Sequence, residues 1–243
     1  MRLLQSLTSM IININISQEI FSKMKYTKWI LSSAALYCAF SIHPTHASIL
    51  ANSTALNTNV NQQIEYVSAD QEHEKAKKFI SNLSENGIGF LKDDSLSEDQ
   101  KQKAFKKLLN NDFDMNTIAR FSLGRYWKTA NKAQRQEYLK LFKTMILNVY
   151  SSRFQEYQGQ AINVKNARKE GKRDILVQTV LKQEGSPEIQ IDWRVRKKNN
   201  NYKVIDIVVE GVSMALTQRS DFSSVIQRGG GDTEALLVHL REN

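Results

Sequence analysis

The run Val204-Ile205-Asp206-Ile207-Val208-Val209 is apolar at every position but one. Such a run predicts a central β-strand covered on both faces. It lies within the stretch Tyr202 to Gly231, around which the rest of the chain is organised. Glu210-Gly211 ends the strand, and the glycine permits a sharp change of direction. Val212, Met214, Ala215 and Leu216 carry the apolar surface around the corner. A short helical pattern follows, with Phe222, Val225 and Ile226 on one face and Arg219, Asp221 and Arg228 elsewhere. Gly229-Gly230-Gly231 stops it.

Upstream, the spacing predicts helices. Ala76, Phe79, Ile80 and Leu83 give a first amphipathic helix over 69–91, ending near Gly87-Ile88-Gly89. Ser97-Glu98-Asp99-Gln100 forms a capping box, so a second helix starts at Ser97 and presents Phe105, Leu108 and Leu109. Phe113-Asp114-Met115 opens a short third helix through Ile118, Ala119, Phe121 and Leu123, closed by Gly124. Asn131 caps what reads as the longest helix, reaching about Gln155, with Tyr138, Leu141, Phe142, Met145, Ile146, Val149 and Tyr150 in one broad stripe.

Four strands are expected after that, over 161–167, 174–182, 188–196 and 203–209. The turns at Gly171, Gly185-Ser186-Pro187 and Asn199-Asn200-Asn201 are short, so neighbours pair antiparallel. The third strand sets Ile189, Ile191, Trp193 and Val195 against Gln190, Asp192, Arg194 and Arg196, the mark of a half-buried strand. Asp232 caps a final helix with Leu236, Leu237 and Leu240 inward. The expected fold is α+β: a helical first half, a four-stranded antiparallel meander and short C-terminal helices, enclosing an apolar cavity.

The N-terminus predicts export. Met24-Lys25-Tyr26-Thr27-Lys28 is a short basic start, Trp29 to Ile42 is apolar but too short to span a bilayer, and Thr45-His46-Ala47 offers a cleavage site before Ser48. Residues 24–47 therefore read as a signal peptide, and residues 1–23 as an extension upstream of the true initiator. Residues 48–66, rich in Asn, Thr, Gln and Ser, read as a disordered lead-in to a domain over 67–243. Cys38 is the one cysteine and lies in the signal, with bulky Tyr37 before it, which argues against lipidation. The mature chain then has no thiol chemistry. Net charge is +9, or +6 after residues 1–47, which suits an anionic membrane surface better than nucleic acid in an exported protein.

Enzymatic chemistry finds little footing. His73 and His239 both sit in charged helical surroundings, and neither a Gly-x-Ser-x-Gly elbow, a phosphate loop nor paired-His metal spacing occurs. Neither a metal nor a cofactor is expected.

The stretch Glu210 to Gly230, EGVSMALTQRSDFSSVIQRGG, resembles the C-terminal signature of the MlaC, or toluene-tolerance, family. These are the periplasmic phospholipid carriers of the Mla (maintenance of lipid asymmetry) system. Leu123-Gly124-Arg125-Tyr126-Trp127 resembles the same family. The resemblance covers about Ala69 to Arg241. It implies a soluble periplasmic carrier, cleaved near Ala47, that holds phospholipid acyl chains between sheet and helices with the headgroup outside. It implies shuttling between an outer-membrane lipoprotein complex and an inner-membrane ABC transporter complex, in upkeep of outer-membrane lipid asymmetry. Nucleic acid has no place in it. Candidate lipid-binding walls are Phe121, Tyr126, Trp127, Phe142, Met145, Ile146, Val149, Val177, Ile191, Trp193, Val195, Val208, Met214 and Phe222, with Arg125, Arg219 and Arg228 as headgroup candidates. The alternatives are a cone-shaped α+β hydrolase or isomerase, for which Asp192 and Asp206 are the nearest acid–base options, a hopanoid-associated envelope lipid carrier, and a ligand-free envelope adaptor.

Overall fold

In α1 (Thr54–Lys92) an uninterrupted helix of 39 residues runs through both glycines at which the sequence predicts its end. The computed structural model describes the backbone of residues 54–242 and the side chains of residues 70–242. The extension and signal peptide expected over 1–47 lie outside the described residues. The chain divides into units Met1–Gln62 and Gln63–Asn243, and the side-chain contacts described below all lie in the second. Backbone from Thr54 onward, within the lead-in expected over 48–66, is helical. That segment lacks Pro and Gly, and once a helix is nucleated each added residue gains one backbone hydrogen bond. Gly87 and Gly89 cost helix propensity but leave the hydrogen-bond ladder intact, so they do not stop it.

Four helices follow: α2 (Glu98–Asp112), α3 (Met115–Leu123), the single turn α4 (Tyr126–Thr129) and α5 (Lys132–Ser151). Ser97 and Asn131 both form capping boxes with a glutamine at the fourth position. The helix capped by Asn131 is therefore not the longest. It has 20 residues and stops at Ser151, before the short 3₁₀ turn Phe154–Glu156.

The sheet is a meander of five strands rather than four: β1 (Ala161–Glu170), β2 (Asp174–Lys182), β3 (Ile189–Lys198), β4 (Asn201–Val209) and β5 (Val212–Ser213), paired in that order and all antiparallel. The added strand is two residues long and follows the Glu210-Gly211 corner, where both residues have positive φ. β4 is next to last rather than central. Its apolar character on successive positions has a local cause: the register to β3 slips between Arg194 and Val195, leaving Ile205 as an extra residue, and Val204 and Ile205 are both buried. The edge of β4 that β5 leaves open is approached by the α2–α3 junction, where Phe113 bridges Val204 and the Asp114 N–H donates to the Val204 carbonyl at 2.9 Å. Helices α6 (Met214–Arg228) and α7 (Thr233–Glu242) complete the chain.

Two separate cores result. In one, Ala76, Ile80 and Leu83 of α1 lie on Ala167, Val177, Trp193, Val195 and Val204 of the sheet. In the other, α2, α3, α5, α6 and α7 pack around Tyr138, Phe142 and Phe222, whose rings meet in edge-on and tilted pairs 5.8–6.2 Å apart. The Tyr138 hydroxyl donates to the Ala119 carbonyl at 2.9 Å, which satisfies it in that core. Phe113 packs against both cores.

Candidate functional site: an apolar cavity at the seam of two cores

Between these cores lies a cavity of about 420 Å³, within the range of small-ligand pockets. The last turns of α1 supply Leu83, Ser84, Gly87, Ile88, Phe90 and Leu91; α2 supplies Phe105, Leu108 and Leu109. Met115 and Ile118 of α3, Ile146 and Tyr150 of α5, and Phe154 extend the helical wall, while Ile162, Trp193 and Ile207 form the sheet wall and Met214 and Ala215 the corner. The polar lining residues are Ser84, Arg153, Asp206 and Gln218.

Local structure fixes each wall. The Trp193 indole N–H donates to the Thr179 hydroxyl at 3.0 Å, and that hydroxyl donates to the Ile191 carbonyl at 2.7 Å. The indole's one polar atom is thus satisfied within the sheet, and its rings are left to the apolar side. Phe105 stacks edge-on with Phe154 at 5.4 Å and lies 6.4 Å from Tyr150, and Phe90 meets Phe154 at 5.9 Å. Burial among these rings pushes the Tyr150 phenol above its ordinary value, with Arg153 opposing the shift. The Ser84 hydroxyl is buried and makes no hydrogen bond among the described residues.

Asp206 looks like a catalytic acid in sequence, but its carboxylate is engaged. Oδ2 accepts from the Ser213 hydroxyl at 2.6 Å and Oδ1 from the Ala215 N–H at 3.1 Å, at the positive end of α6. Asp192, buried in β3, accepts at both oxygens from the Gln190 amide, at 3.1 and 3.0 Å. Among the described residues no group of His, Cys, Asp and Glu is arranged to hold a metal ion.

Of the expected walls, Ile146, Trp193 and Met214 line the cavity. Tyr126, Phe142 and Phe222 are buried in the helical core, with Trp127 and Met145 packed against it. Val177 and Val195 belong to the core between α1 and the sheet, and Ile191 packs against that core. Val208 is half-buried and pairs with Asp192 and Ser213. Phe121 and Val149 are exposed, at 42% and 45%. None of Arg125, Arg219 and Arg228 lines the cavity; Arg153 does. The broad stripe on α5 therefore divides: its Tyr138–Phe142 side makes core and its Ile146–Tyr150 side makes cavity. The largest omission is the end of α1. Leu83, Ile88, Phe90 and Leu91 fall close together in sequence, a signal concealed by reading Gly87 and Gly89 as a stop.

Comparison with known proteins agrees with this architecture. The family model described as MlaC protein matches residues 81–242. The intermembrane phospholipid transport system binding protein MlaC of Haemophilus influenzae is 26% identical over 125 residues, covering 50% of this chain and 58% of that protein. The toluene tolerance protein ttg2D of Pseudomonas putida is 25% identical over 114 residues, covering 46% of this chain and 53% of that protein. The matches thus span a little over half the length of these relatives. A phospholipid-binding protein from Ralstonia solanacearum, solved in complex with a phospholipid, shares the fold with a TM-score of 0.60 and 23% identity, over 69% of this chain and 95% of that one. Every wall of the cavity falls within the matched residues 81–242, and the chain belongs to the MlaC family.

Proposed function

We propose that this protein is a non-enzymatic carrier that takes phospholipid acyl chains into the cavity between α1, α2, α5 and the sheet. One observation supports this most: an apolar space between two cores, most of whose buried members do not line it. Family membership and the names of the relatives point the same way. Burial of one methylene is worth about 0.8 kcal/mol, so drawing two chains of ~15 carbons from a bilayer costs on the order of 20 kcal/mol. A carrier has to return most of that by enclosing hydrocarbon, which calls for walls like these rather than for many polar contacts.

The same reading includes export, with cleavage near Ala47, and passage of lipid in the periplasm between an outer-membrane lipoprotein complex and an inner-membrane ABC transporter complex. Among the described residues no helix is long and apolar enough to cross a membrane. Native mass spectrometry of the purified protein, with extraction of whatever it carries, tests the carrier. Co-purified diacyl phospholipid is expected; a hopanoid would reassign the cargo, and an empty protein that takes up nothing from liposomes would end the proposal. Intact mass of periplasmic material tests export, and a mature chain that still holds Trp29 would refute it.

A further inference from the structure

Residues Met115 to Arg135 contain five basic side chains, Arg120, Arg125, Lys128, Lys132 and Arg135, and no carboxylate. The fold gathers this stretch into the corner between α3, α4 and α5 and adds Arg219 from α6. Arg120 and Arg135 both stack on Trp127, with guanidinium carbons 5.1 and 5.5 Å from the ring centre. Arg125 donates to the Tyr126 hydroxyl at 2.9 Å and lies over its ring. Arg219 lies 5.6 Å over Phe121. Among the described residues, none of these four arginines makes an ion pair, whereas Arg196, Lys197, Lys198 and Arg241 all do. The corner is therefore cationic and held in place by aromatic rings rather than neutralised by acids.

It is also apolar at its surface. Phe121 is 42% exposed and Leu216, one turn before Arg219 on α6, is 54% exposed. The same two helices line the cavity: Ile118 is one turn before Phe121, and Gln218 adjoins Arg219.

We infer that this corner is a docking surface for an anionic phospholipid bilayer. Arginines beside exposed Phe and Leu are the composition suited to a membrane interface, where the guanidinium groups meet lipid phosphates and the apolar side chains enter the headgroup layer. A bilayer demands no shape complementarity, so a few cationic and apolar side chains suffice; a stable protein partner would need a patch of about 800 Å². Docking here would bring the cavity walls on α3 and α6 to the source of the lipid. The surface goes beyond lipid binding in the cavity and does not depend on the cavity being filled.

Sedimentation of the mature protein with vesicles tests it. One set of vesicles is phosphatidylcholine alone, the other phosphatidylcholine with an equal part of phosphatidylglycerol. Each exposed arginine near an anionic surface contributes about fivefold, so Arg120, Arg125 and Arg219 together give on the order of a hundredfold tighter binding to the anionic vesicles. That preference should collapse at about 1 M salt, where the screening length is ~3 Å. The double variant Arg125→Gln/Arg219→Gln should lose about twentyfold while remaining folded by circular dichroism. Phe121→Ser should weaken what binding remains in salt. Equal binding to both vesicles, no binding to either, or a double variant that binds as wild type overturns the inference. Retention on immobilised polyglutamate without binding to anionic vesicles overturns it in favour of an acidic protein face. An empty cavity in a protein that still prefers anionic vesicles would refute the carrier and leave the docking surface standing.

Discussion

Asp206 and Ala215 join the sheet to α6: the carboxylate accepts the Ala215 N–H at 3.1 Å, while its second oxygen takes the Ser213 hydroxyl. Both partners sit at the start of a helix whose first residues line the cavity. Asp206→Ala would leave a buried N–H unpaired and remove a negative charge from a helix N-terminus. We expect a loss of about 2–4 kcal/mol, with Asp206→Asn losing less. Urea denaturation reads this directly, and an unchanged midpoint would show that the pair has no structural weight.

Ser84 separates cavity from core. Its hydroxyl is buried without a partner among the described residues, and Ser84 lines the space. Ser84→Leu removes an unsatisfied polar group and adds carbon into the void, so the variant should melt no lower than wild type and retain less lipid. Were the position close-packed, the added volume would cost about 1–3 kcal/mol. Melting and lipid extraction on one sample tell the two apart.

Acid should loosen α1 from the sheet. Glu72 is held down at about 2 from an ordinary 4.5, first by the Tyr202 phenol and then by Lys197 and Lys75. Burial and the Glu72 charge push the Tyr202 phenol up, so it stays a donor at neutral pH. A carboxylate with a depressed value binds its proton more weakly when folded. Its contribution is therefore complete above about pH 4.5 and disappears as the pH falls toward 2. The site is partly open to solvent, so we expect less than about 1 kcal/mol. Glu72→Gln should flatten the melting temperature between those two pH values, and an identical slope in both proteins would count against the pairing.

Two glycines should respond in opposite directions. Gly89 lies inside α1 with open space where a Cβ would go, and Gly89→Ala should stabilise by about 0.5–1 kcal/mol. Gly124 has φ +61°, and a Cβ there would come within 2.6 Å of Arg219 Nε. Gly124→Ala should cost about 1–2 kcal/mol. Equal melting shifts for the two would refute the assignment.

Most of the secondary structure was legible because its signals are local. The capping boxes at Ser97 and Asn131, the stop at Gly124 and the alternation in β3 all act within a few residues. What escaped depends on tertiary context. Gly87 and Gly89 stop a helix only where nothing sustains it, and α1 is sustained by the sheet beneath Ala76, Ile80 and Leu83. The apolar run of β4 reads as a central strand, yet β4 is next to last in the sheet, and the run owes its character to a bulge at Ile205 and the cover from Phe113. The cavity was hardest to locate, since a methionine or leucine facing a void carries the same pattern as one facing another side chain. Phe142 and Ile146 are one turn apart on a single stripe and serve different ends.

The cavity's place at a seam has a consequence for how load and stability are related. A protein whose ligand completes its only core loses its fold with its cargo. Here each side of the seam has its own interior, joined through Phe113, and most of the buried members on either side do not line the cavity. On the carrier reading proposed above, the empty form is then expected to stay folded between one cargo and the next.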